Sequence, residues 1–458
     1  MGNKDLVIAR SSFVQVVKNS KKIVVWHSLF GKPKVISKNM LKILEIFSEP
    51  KRLGEFYEKY ELDFAGKKCI EEMIKDYFLI PLGFNERDLL AEKKKEIKKF
   101  IIGGSQINHL GLIISEKCNF NCSYCIHFSN LDISGRSRKK IMSLEIAKKA
   151  IDYYLSILRS HNKKLAEINF GGGEPLLNWK VIEKSILYCL NYFGNELDFK
   201  FSINTNASLI DDGVAEKLKI YGVKVVSSLD GLRIGNDKVR MTKAGDETFD
   251  LIIRGFKALK GRGHPIDGIA VTVNEYNFSD LNEELIDWAI KHNMLDIRID
   301  IDVMGSVKLE VDRVINKLMR IRKYALKRNA EVYGFWSRPA ENLNDSILDK
   351  HIAFCGAVRG NSLCVSPLGN IYGCGYSGVK IGNIHDDSEN LYTSGKAYSK
   401  FVLDHVAGSI KECLGCIIEG QCMGGCNITR EFAASNGNSG MDRMCKLYRG
   451  MIQKLILE

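Results

Sequence analysis

Short apolar runs alternate with amphipathic segments between residues 108 and 310, and this alternation limits the folds open to the chain. The runs are LGLIISE, AEINFGG, DFKFSIN, VKVVSSLD, GIAVTVN and DIRIDIDV. In the clearest segment between them, 143–158, apolar residues recur at helical spacing behind Ser143, a candidate helix cap. Strands that alternate with helices predict a parallel sheet, and six such units predict an α/β fold of the partial (β/α)6 TIM-like barrel type.

Two unusual motifs follow the first two runs. CNFNCSYC, residues 118–125, comes after the first, and GGGEP, residues 171–175, comes after the second. Functional residues of β/α folds gather at the carboxyl ends of the strands, so both motifs are predicted on the catalytic rim. Cys118, Cys122 and Cys125 offer three thiolates to one soft metal centre. An iron–sulfur cluster held by three cysteines keeps one iron open, whereas the alternative is a zinc loop completed by a distant ligand such as His127.

The spacing C-x3-C-x2-C, with the aromatic Tyr124 before the last cysteine, resembles the radical S-adenosylmethionine (SAM) enzymes. The resemblance implies that Cys118, Cys122 and Cys125 hold a 4Fe–4S cluster whose open iron is chelated by SAM, with Tyr124 near the adenine. In that family, reductive cleavage of SAM gives a 5′-deoxyadenosyl radical, which takes hydrogen from an unactivated carbon. The reaction implies an external electron donor such as flavodoxin or ferredoxin.

Further segments resemble the cofactor-binding parts of the same family. Gly172, Gly173, Glu174 and Pro175 match its GGEP motif, whose backbone and glutamate bind the methionyl ammonium. The segment FSINTNASLI resembles the place where polar side chains meet the cofactor, which implies roles for Ser202, Asn204 and Asn206.

The segment SLDGLRIGNDKVR, residues 228–240, resembles the fourth-strand motif of the peptide-modifying branch. The resemblance implies that Arg240 contacts the SAM carboxylate, a role that suits a bidentate guanidinium. Asn236 stands where a histidine is usual, so no role is carried onto it. Asp230 is equally well interpreted as a turn residue at the end of a strand.

Eight cysteines occupy the C-terminal part of the chain, enough for two four-ligand centres of iron–sulfur or structural zinc type. Their spacing resembles the SPASM extension of radical SAM enzymes that modify peptides. The resemblance implies an outer auxiliary cluster on Cys413, Cys416, Cys422 and Cys445, and an inner one on Cys355, Cys374 and Cys426. Cys364 is the candidate fourth ligand of the inner cluster, with packing in a hairpin as the alternative. If that iron stays open, a substrate thiolate has a place to bind, which favours thioether formation.

Residues 1–90 predict a small winged-helix-like module. Two strands flank the turn at Gly31, Ser37 caps a helix, further helices cover 52–60 and the region of Cys69–Tyr77, and FLIPLG is a strand. Alone, such a module suggests DNA binding. Beside these cysteine motifs it resembles the recognition domain of enzymes that process ribosomally made peptides, in which a leader peptide adds as a strand to a sheet edge. VVWHSLF is the candidate docking strand.

The predicted organisation is a recognition domain at 1–90, a linker helix at 91–107, the barrel at 108–310, a helical connection at 311–350 and the SPASM extension at 351–458. Thirteen cysteines without a secretory signal predict metal ligands in a reducing cytoplasm, with Cys69 and Cys189 as packing residues. No apolar run is long enough to predict a membrane span. The formal charge of +12 is mostly scattered lysine and suits an acidic leader, so no nucleic-acid partner is predicted.

Together these resemblances predict a radical SAM/SPASM maturase with three 4Fe–4S clusters and SAM, acting on a precursor peptide with a leader sequence. A cysteine thioether is the first expectation, followed by a carbon–carbon or carbon–oxygen crosslink. A sulfatase-type formylglycine maturase shares the barrel and the extension. The non-enzymatic alternative is a redox-sensing winged-helix DNA binder, which has no need for GGGEP and Arg240. No catalytic general base is singled out by its position.

Overall fold

The computed structural model describes residues 5–126, 140–302, 309–386, 395–436 and 439–458, so His127 lies outside the described residues. The strands are β1 (Val7–Arg10), β2 (Val14–Lys18), β3 (Ile23–His27), β4 (Gly31–Ile36), β5 (Lys51–Arg52), β6 (Leu79–Pro81), β7 (His109–Ser115), β8 (Leu165–Gly172), β9 (Asp198–Thr205), β10 (Lys224–Ser228), β11 (Gly268–Val273), β12 (Asp296–Ile301), β13 (Glu331–Tyr333), β14 (Ser362–Val365), β15 (Asn370–Tyr372) and β16 (Gly382–Asn383).

The α-helices are α1 (Lys38–Ile46), α2 (Leu53–Tyr60), α3 (Phe64–Lys75), α4 (Glu86–Ile101), α5 (Leu144–Ser160), α6 (Trp179–Phe193), α7 (Asp212–Ile220), α8 (Arg233–Asp237), α9 (Phe249–Gly261), α10 (Glu283–Lys291), α11 (Val311–Leu326), α12 (Arg338–Leu343), α13 (Gly356–Arg359), α14 (Lys396–Leu403), α15 (Glu419–Cys422), α16 (Asn427–Asn436) and α17 (Ser439–Leu455). Short 3₁₀ helices cover Ile102–Gly104, Pro175–Asn178 and Lys411–Cys413. Among the residues that the structure describes, no helix is long and apolar enough to cross a bilayer.

The first ninety residues form two small sheets beside three helices. One sheet has the order β5-β1-β6 and the other β2-β3-β4. Ser37 caps α1 as predicted, since its Oγ accepts the Met40 N–H at 3.2 Å. The prediction that VVWHSLF offers a docking edge is wrong. This segment includes β3, which is the central strand and pairs with β2 on one side and β4 on the other.

The central element is a ten-stranded sheet in the order β13-β12-β11-β10-β9-β8-β7-β14-β15-β16. All neighbouring pairs from β13 to β7 are parallel, and the six predicted apolar runs supply β7 to β12. The mixed α/β fold with a central parallel sheet is therefore confirmed. The segment 311–350, predicted as helical, also contains β13, which is too short to give a periodic signal.

The two faces of the sheet carry different residues. In β12, Ile297, Ile299 and Ile301 are buried, whereas Arg298 and Asp300 alternate with them and are only partly buried. Burial stabilises each such isoleucine by about 1.5–3 kcal/mol. Ser143 caps α5, and the apolar face of that helix joins the same core. The polar side chains of the strands consequently lie on the inner face of the sheet, where the site lies.

Candidate cofactor site and cysteine sets

The loop that carries the first three cysteines leaves β7 and is anchored by backbone hydrogen bonds. Asn121 N–H donates to the Met241 carbonyl at 2.8 Å, and Ser123 N–H donates to the Val239 carbonyl at 3.0 Å. Phe120 is buried between these contacts and anchors the loop in the core. The cysteine loop is thereby held against the segment that leads to Arg240.

The three thiols of this loop share one electrostatic environment. Burial raises the pKa of Cys118 to about 11 and the pKa of Cys122 to about 12, and the charge of Cys125 acts on both. The Arg240 guanidinium favours the thiolate form of both side chains. Across the ranges described, no group of three or more His, Cys, Asp or Glu side chains is arranged around the position of a single metal ion. Three soft thiolates beside one cation fit an iron–sulfur cluster.

The GGGEP motif lies directly against the cysteine loop. Gly173 N–H donates to the Ser115 carbonyl at 2.7 Å, and Glu174 N–H donates to the Lys117 carbonyl at 2.8 Å. A Cβ on Gly172 would lie 2.2 Å from the Ser115 oxygen, and its φ is +126°. A Cβ on Gly173 would lie 2.5 Å from the Lys117 oxygen. Glycine is required here because two backbones meet.

Glu174 is fully buried beside Pro175, and its carboxylate accepts hydrogen bonds from its own segment and from the end of β9. Oε1 accepts from Thr205 Oγ1 at 2.7 Å and from Leu176 N–H at 3.0 Å, while Oε2 accepts from Asn206 N–H at 2.8 Å. The glutamate therefore fixes the carboxyl end of β9 next to the cysteine loop. Its predicted contact with the methionyl ammonium of SAM stays a prediction.

A polar network joins the end of β9 to Cys118. Asn206 Nδ2 donates to Asn119 Oδ1 at 2.9 Å and lies 3.8 Å from Cys118 Sγ, and Asn119 Nδ2 donates to Ser208 Oγ at 2.9 Å. Sequence reasoning singled out Asn206 but missed Asn119 and Ser208, although both lie within the quoted motifs.

The other two polar residues predicted at this strand lie on β9 itself. Ser202 Oγ accepts from Asn169 Nδ2 at 2.9 Å on the neighbouring strand β8, and Asn204 is exposed. Their predicted contacts with the cofactor stay predictions.

Arg240, Asp230 and Tyr124 form a buried cluster beside the cysteine loop. Arg240 Nε–H donates to Asp230 Oδ2 at 2.7 Å, and Tyr124 O–H donates to the same oxygen. Asp230 Oδ1 accepts the Thr272 N–H at 2.7 Å, which ties the cluster to β11. The terminal nitrogens of Arg240 donate no hydrogen bond to the described residues, and this suits the predicted carboxylate clamp. Asp230 is thus a buried anchor and not an ordinary turn residue.

The inner set of C-terminal cysteines is brought together, with Cys364 among them. Burial raises the pKa of Cys374 well above its ordinary value, and the neighbouring Cys364, Cys426 and Cys355 raise it further. Cys364 alternates with the buried Leu363 and Val365 of β14, so its thiol points to the inner face. A Cβ on Gly111 of β7 would lie 3.0 Å from Cys364 Sγ. Its role as a ligand stays a prediction.

The outer set is also brought together. Burial raises the pKa of Cys422 well above its ordinary value, and Cys445, Cys413 and Cys416 add to this effect.

The two cysteines predicted as packing residues differ from each other. Cys189 is fully buried, whereas Cys69 is only half-buried.

Tyr376 interacts electrostatically with the first and the inner cysteine sets, and sequence reasoning missed it. Burial raises the pKa of Tyr376 to about 12, and the charges of Cys374 and Cys125 contribute in that order. Arg298 on β12 also acts on Tyr376, and its Nε–H donates to Asp300 Oδ2 at 2.6 Å. These side chains come from distant segments, so no local sequence signal marks them.

Residues 112–289, from β7 into α10, match the radical SAM superfamily. The parallel sheet and the three-cysteine loop at its carboxyl edge agree with this match. The chain belongs to the radical SAM superfamily and is an enzyme of that class. Membership implies SAM and a 4Fe–4S cluster, and an enzyme of this class is not the non-enzymatic regulator considered as an alternative.

Three known proteins show how far the similarity extends. The radical SAM cyclopropyl synthase TigE of Paramaledivibacter caminithermalis is 29% identical over 100% of this chain and 97% of its own. The structure of anSMEcpe with bound AdoMet has a TM-score of 0.62 at 19% identity and covers 76% of this chain and 98% of that one. The structure of Streptococcus suis SuiB bound to precursor peptide SuiA has a TM-score of 0.53 at 16% identity and covers 92% of this chain and 96% of that one. These two solved structures are similar to this chain in fold.

Proposed function

We propose that this enzyme matures a ribosomally synthesised precursor peptide and closes a carbon–carbon bond within it. The observation that carries the proposal is that Tyr376 interacts electrostatically with both Cys125 and Cys374. A peptide segment beside Tyr376 would lie near both the first and the inner cysteine sets. Hydrogen abstraction and removal of the remaining electron would then be within reach of one substrate position.

The residues present fit the cofactors. Cys118, Cys122 and Cys125 would hold a 4Fe–4S cluster, the backbone at Gly173 would lie beside SAM, and Arg240 would clamp its carboxylate. When bound, the cluster and SAM supply the 5′-deoxyadenosyl radical that abstracts hydrogen. The chain's own contribution is orientation: Asp230 fixes Arg240 and Tyr124, and Glu174 fixes the end of β9.

The type of bond depends on the inner cysteine set. A thioether is favoured when one iron of the inner cluster is open to a substrate thiolate. Cys364 faces the same inner surface as Cys374 and affects its pKa, which supports four protein thiolates and a closed cluster. A relative that matches the whole chain is described as a cyclopropyl synthase, and a cyclopropane requires a new carbon–carbon bond. Both points support carbon–carbon bond formation over a thioether, which is the second candidate.

The N-terminal module and the C-terminal cysteine sets would act as leader-peptide recognition and SPASM domains. Because β3 is paired on both sides, a leader strand would add to an outer strand of that sheet. We favour the outer strand β4, where Val35 is 68% exposed. SuiB, the structural relative that spans most of the chain, is bound to its precursor peptide.

Anaerobic reconstitution followed by peptide mass spectrometry tests the proposal. About twelve irons and twelve sulfides per chain are expected for three four-iron clusters. Candidate substrates are short peptides encoded beside the gene, incubated with SAM and a reductant. The expected product has lost a pair of hydrogen atoms and keeps all its thiols reactive toward an alkylating reagent.

The other outcomes separate the alternatives, with Cys122→Ala as the inactive control. Loss of one reactive cysteine thiol would indicate a thioether. An aldehyde trapped by a hydrazide would indicate formylglycine formation. Stoichiometric zinc with negligible iron would contradict the proposal as a whole.

A further inference from the structure

The N-terminal segment contacts the loop that carries three cysteines of the outer set. Arg87, in the first turn of α4, donates from both terminal nitrogens to the carboxylate of Glu419, at 2.9 and 3.1 Å. Glu419 lies between Cys416 and Cys422 in sequence and its side chain is 1% exposed. A bidentate arginine–carboxylate pair fixes both distance and angle, so it positions the loop as well as attracting it.

Backbone contacts surround this ion pair. Gly420 N–H donates to the Ser28 carbonyl at 2.8 Å, and Trp26 Nε1–H donates to the Ile417 carbonyl at 3.0 Å. A Cβ on Gly420 would lie 1.9 Å from the Leu29 oxygen. The turn after β3 is therefore seated on the outer cysteine loop without intervening side chains.

Glu419 also shapes the loop from within. Its Oε2 accepts the Gly415 N–H at 2.9 Å, and Gly415 lies between Cys413 and Cys416. A buried carboxylate is costly unless it is paired, and here the partner cation comes from outside the extension. Without Arg87, the negative charge of Glu419 would lose its bidentate partner and would act more strongly on the outer thiols, among them Cys413.

We propose that Arg87 is a positioning residue for the outer auxiliary cluster: through Glu419 it holds the Cys413–Cys422 loop and sets the electrostatic potential at that cluster. This inference rests on the proposed assignment of an iron–sulfur cluster to the outer cysteines. It makes the N-terminal module part of the redox apparatus as well as a peptide-binding element. A leader peptide that displaces the module would alter the Arg87–Glu419 contact and, through it, the outer cysteine loop.

The test is an electron paramagnetic resonance titration of the reconstituted full-length enzyme and its variants. Arg87→Met removes a positive charge and should lower the reduction potential of one auxiliary cluster, because the more negative reduced form loses stabilisation. Glu419→Gln should raise it, and the double variant should return close to the wild type. Arg87→Lys keeps the positive charge but loses the bidentate hydrogen bonding of the guanidinium. Its shift in reduction potential should therefore be smaller than that of Arg87→Met.

Arg159→Met is the matched control, because Arg159 forms a similar bidentate pair with Glu196 on a surface without predicted cluster ligands. Equal titrations of the wild type, Arg87→Met and Glu419→Gln would overturn the inference, as would equal shifts in Arg159→Met. If Arg87→Met does not fold, Glu419→Gln alone decides. A wild type with only about four irons per chain would instead contradict the outer-cluster assignment itself.

Discussion

Arg240 and Asp230 form a buried ion pair at the carboxyl edge of the sheet, 2.7 Å apart from Nε to Oδ2. The aspartate follows β10, binds the backbone of β11 through Thr272, and accepts a hydrogen bond from Tyr124 of the cysteine loop. One carboxylate thus connects two strands, the cysteine loop and the arginine predicted to bind SAM.

Asp230→Asn should destabilise the enzyme because it leaves the buried guanidinium of Arg240 uncompensated. Breaking a buried pair in this way costs about 3–5 kcal/mol. A large drop in the thermal midpoint of the reconstituted protein is expected, together with weaker SAM binding in equilibrium dialysis. Asp250→Asn, which breaks an exposed pair with Arg233, is the control and should change neither property appreciably. Equal behaviour of the two variants would contradict the anchoring role of Asp230.

Gly172→Ala should prevent assembly of the first cluster. The added Cβ would lie 2.2 Å from the Ser115 oxygen, so the cysteine loop or β8 must move. Iron after reconstitution should fall by about a third, which is one of three four-iron clusters. Gly171→Ala is the matched control, since the atom nearest its added Cβ is Asn169 Oδ1 at 3.4 Å. Full iron content in Gly172→Ala would show that the close backbone approach is dispensable.

Cys364→Ala should change the inner cluster. If Cys364 is its fourth ligand, the variant should lose iron or show a new site-differentiated signal in Mössbauer spectra. The control is Cys69→Ala, because Cys69 lies on α3, far along the chain from all predicted ligands. Identical spectra for Cys364→Ala and the wild type would mean that the cluster is open, and would return thioether formation to first place.

Gly420→Ala should loosen the N-terminal module from the extension. Its added Cβ would meet the Leu29 oxygen at 1.9 Å, so the two backbones must separate. Faster limited proteolysis of the N-terminal module is expected, with a lower thermal midpoint. Gly261→Ala in α9 is the control, because its Cβ would enter open space. Equal proteolysis of the two variants would argue against a tight junction.

Features encoded by neighbouring residues were predictable. The six apolar runs gave β7 to β12, and Ser37 and Ser143 marked helix starts, because alternation and capping are properties of a few consecutive residues. Strand order was not predictable in the same way. The central place of β3 depends on β2, a strand that the sequence analysis did not recognise, and β13 is only three residues long.

The candidate site shows the same difference between features set by neighbouring residues and features set by distant ones. Cysteine spacing and the resemblance it carries predicted three cysteine sets, and the role of these cysteines as cluster ligands stays a prediction. The contact of Asp230 with Tyr124 joins residues 106 positions apart, and the electrostatic interaction of Tyr376 with Cys125 also joins distant parts of the chain. No local pattern records such a meeting, since the sheet creates it.

β14 pairs in parallel with β7, and Cys364 stands opposite Gly111 in that register. Adjacent strands lie about 4.8 Å apart, so Cys364 and the first cysteine loop are attached to neighbouring strands of one sheet. The C-terminal extension is therefore not a detachable module. A chain cut before β14 would expose a long apolar strand edge on β7, and it would be prone to aggregate before any cluster could be loaded.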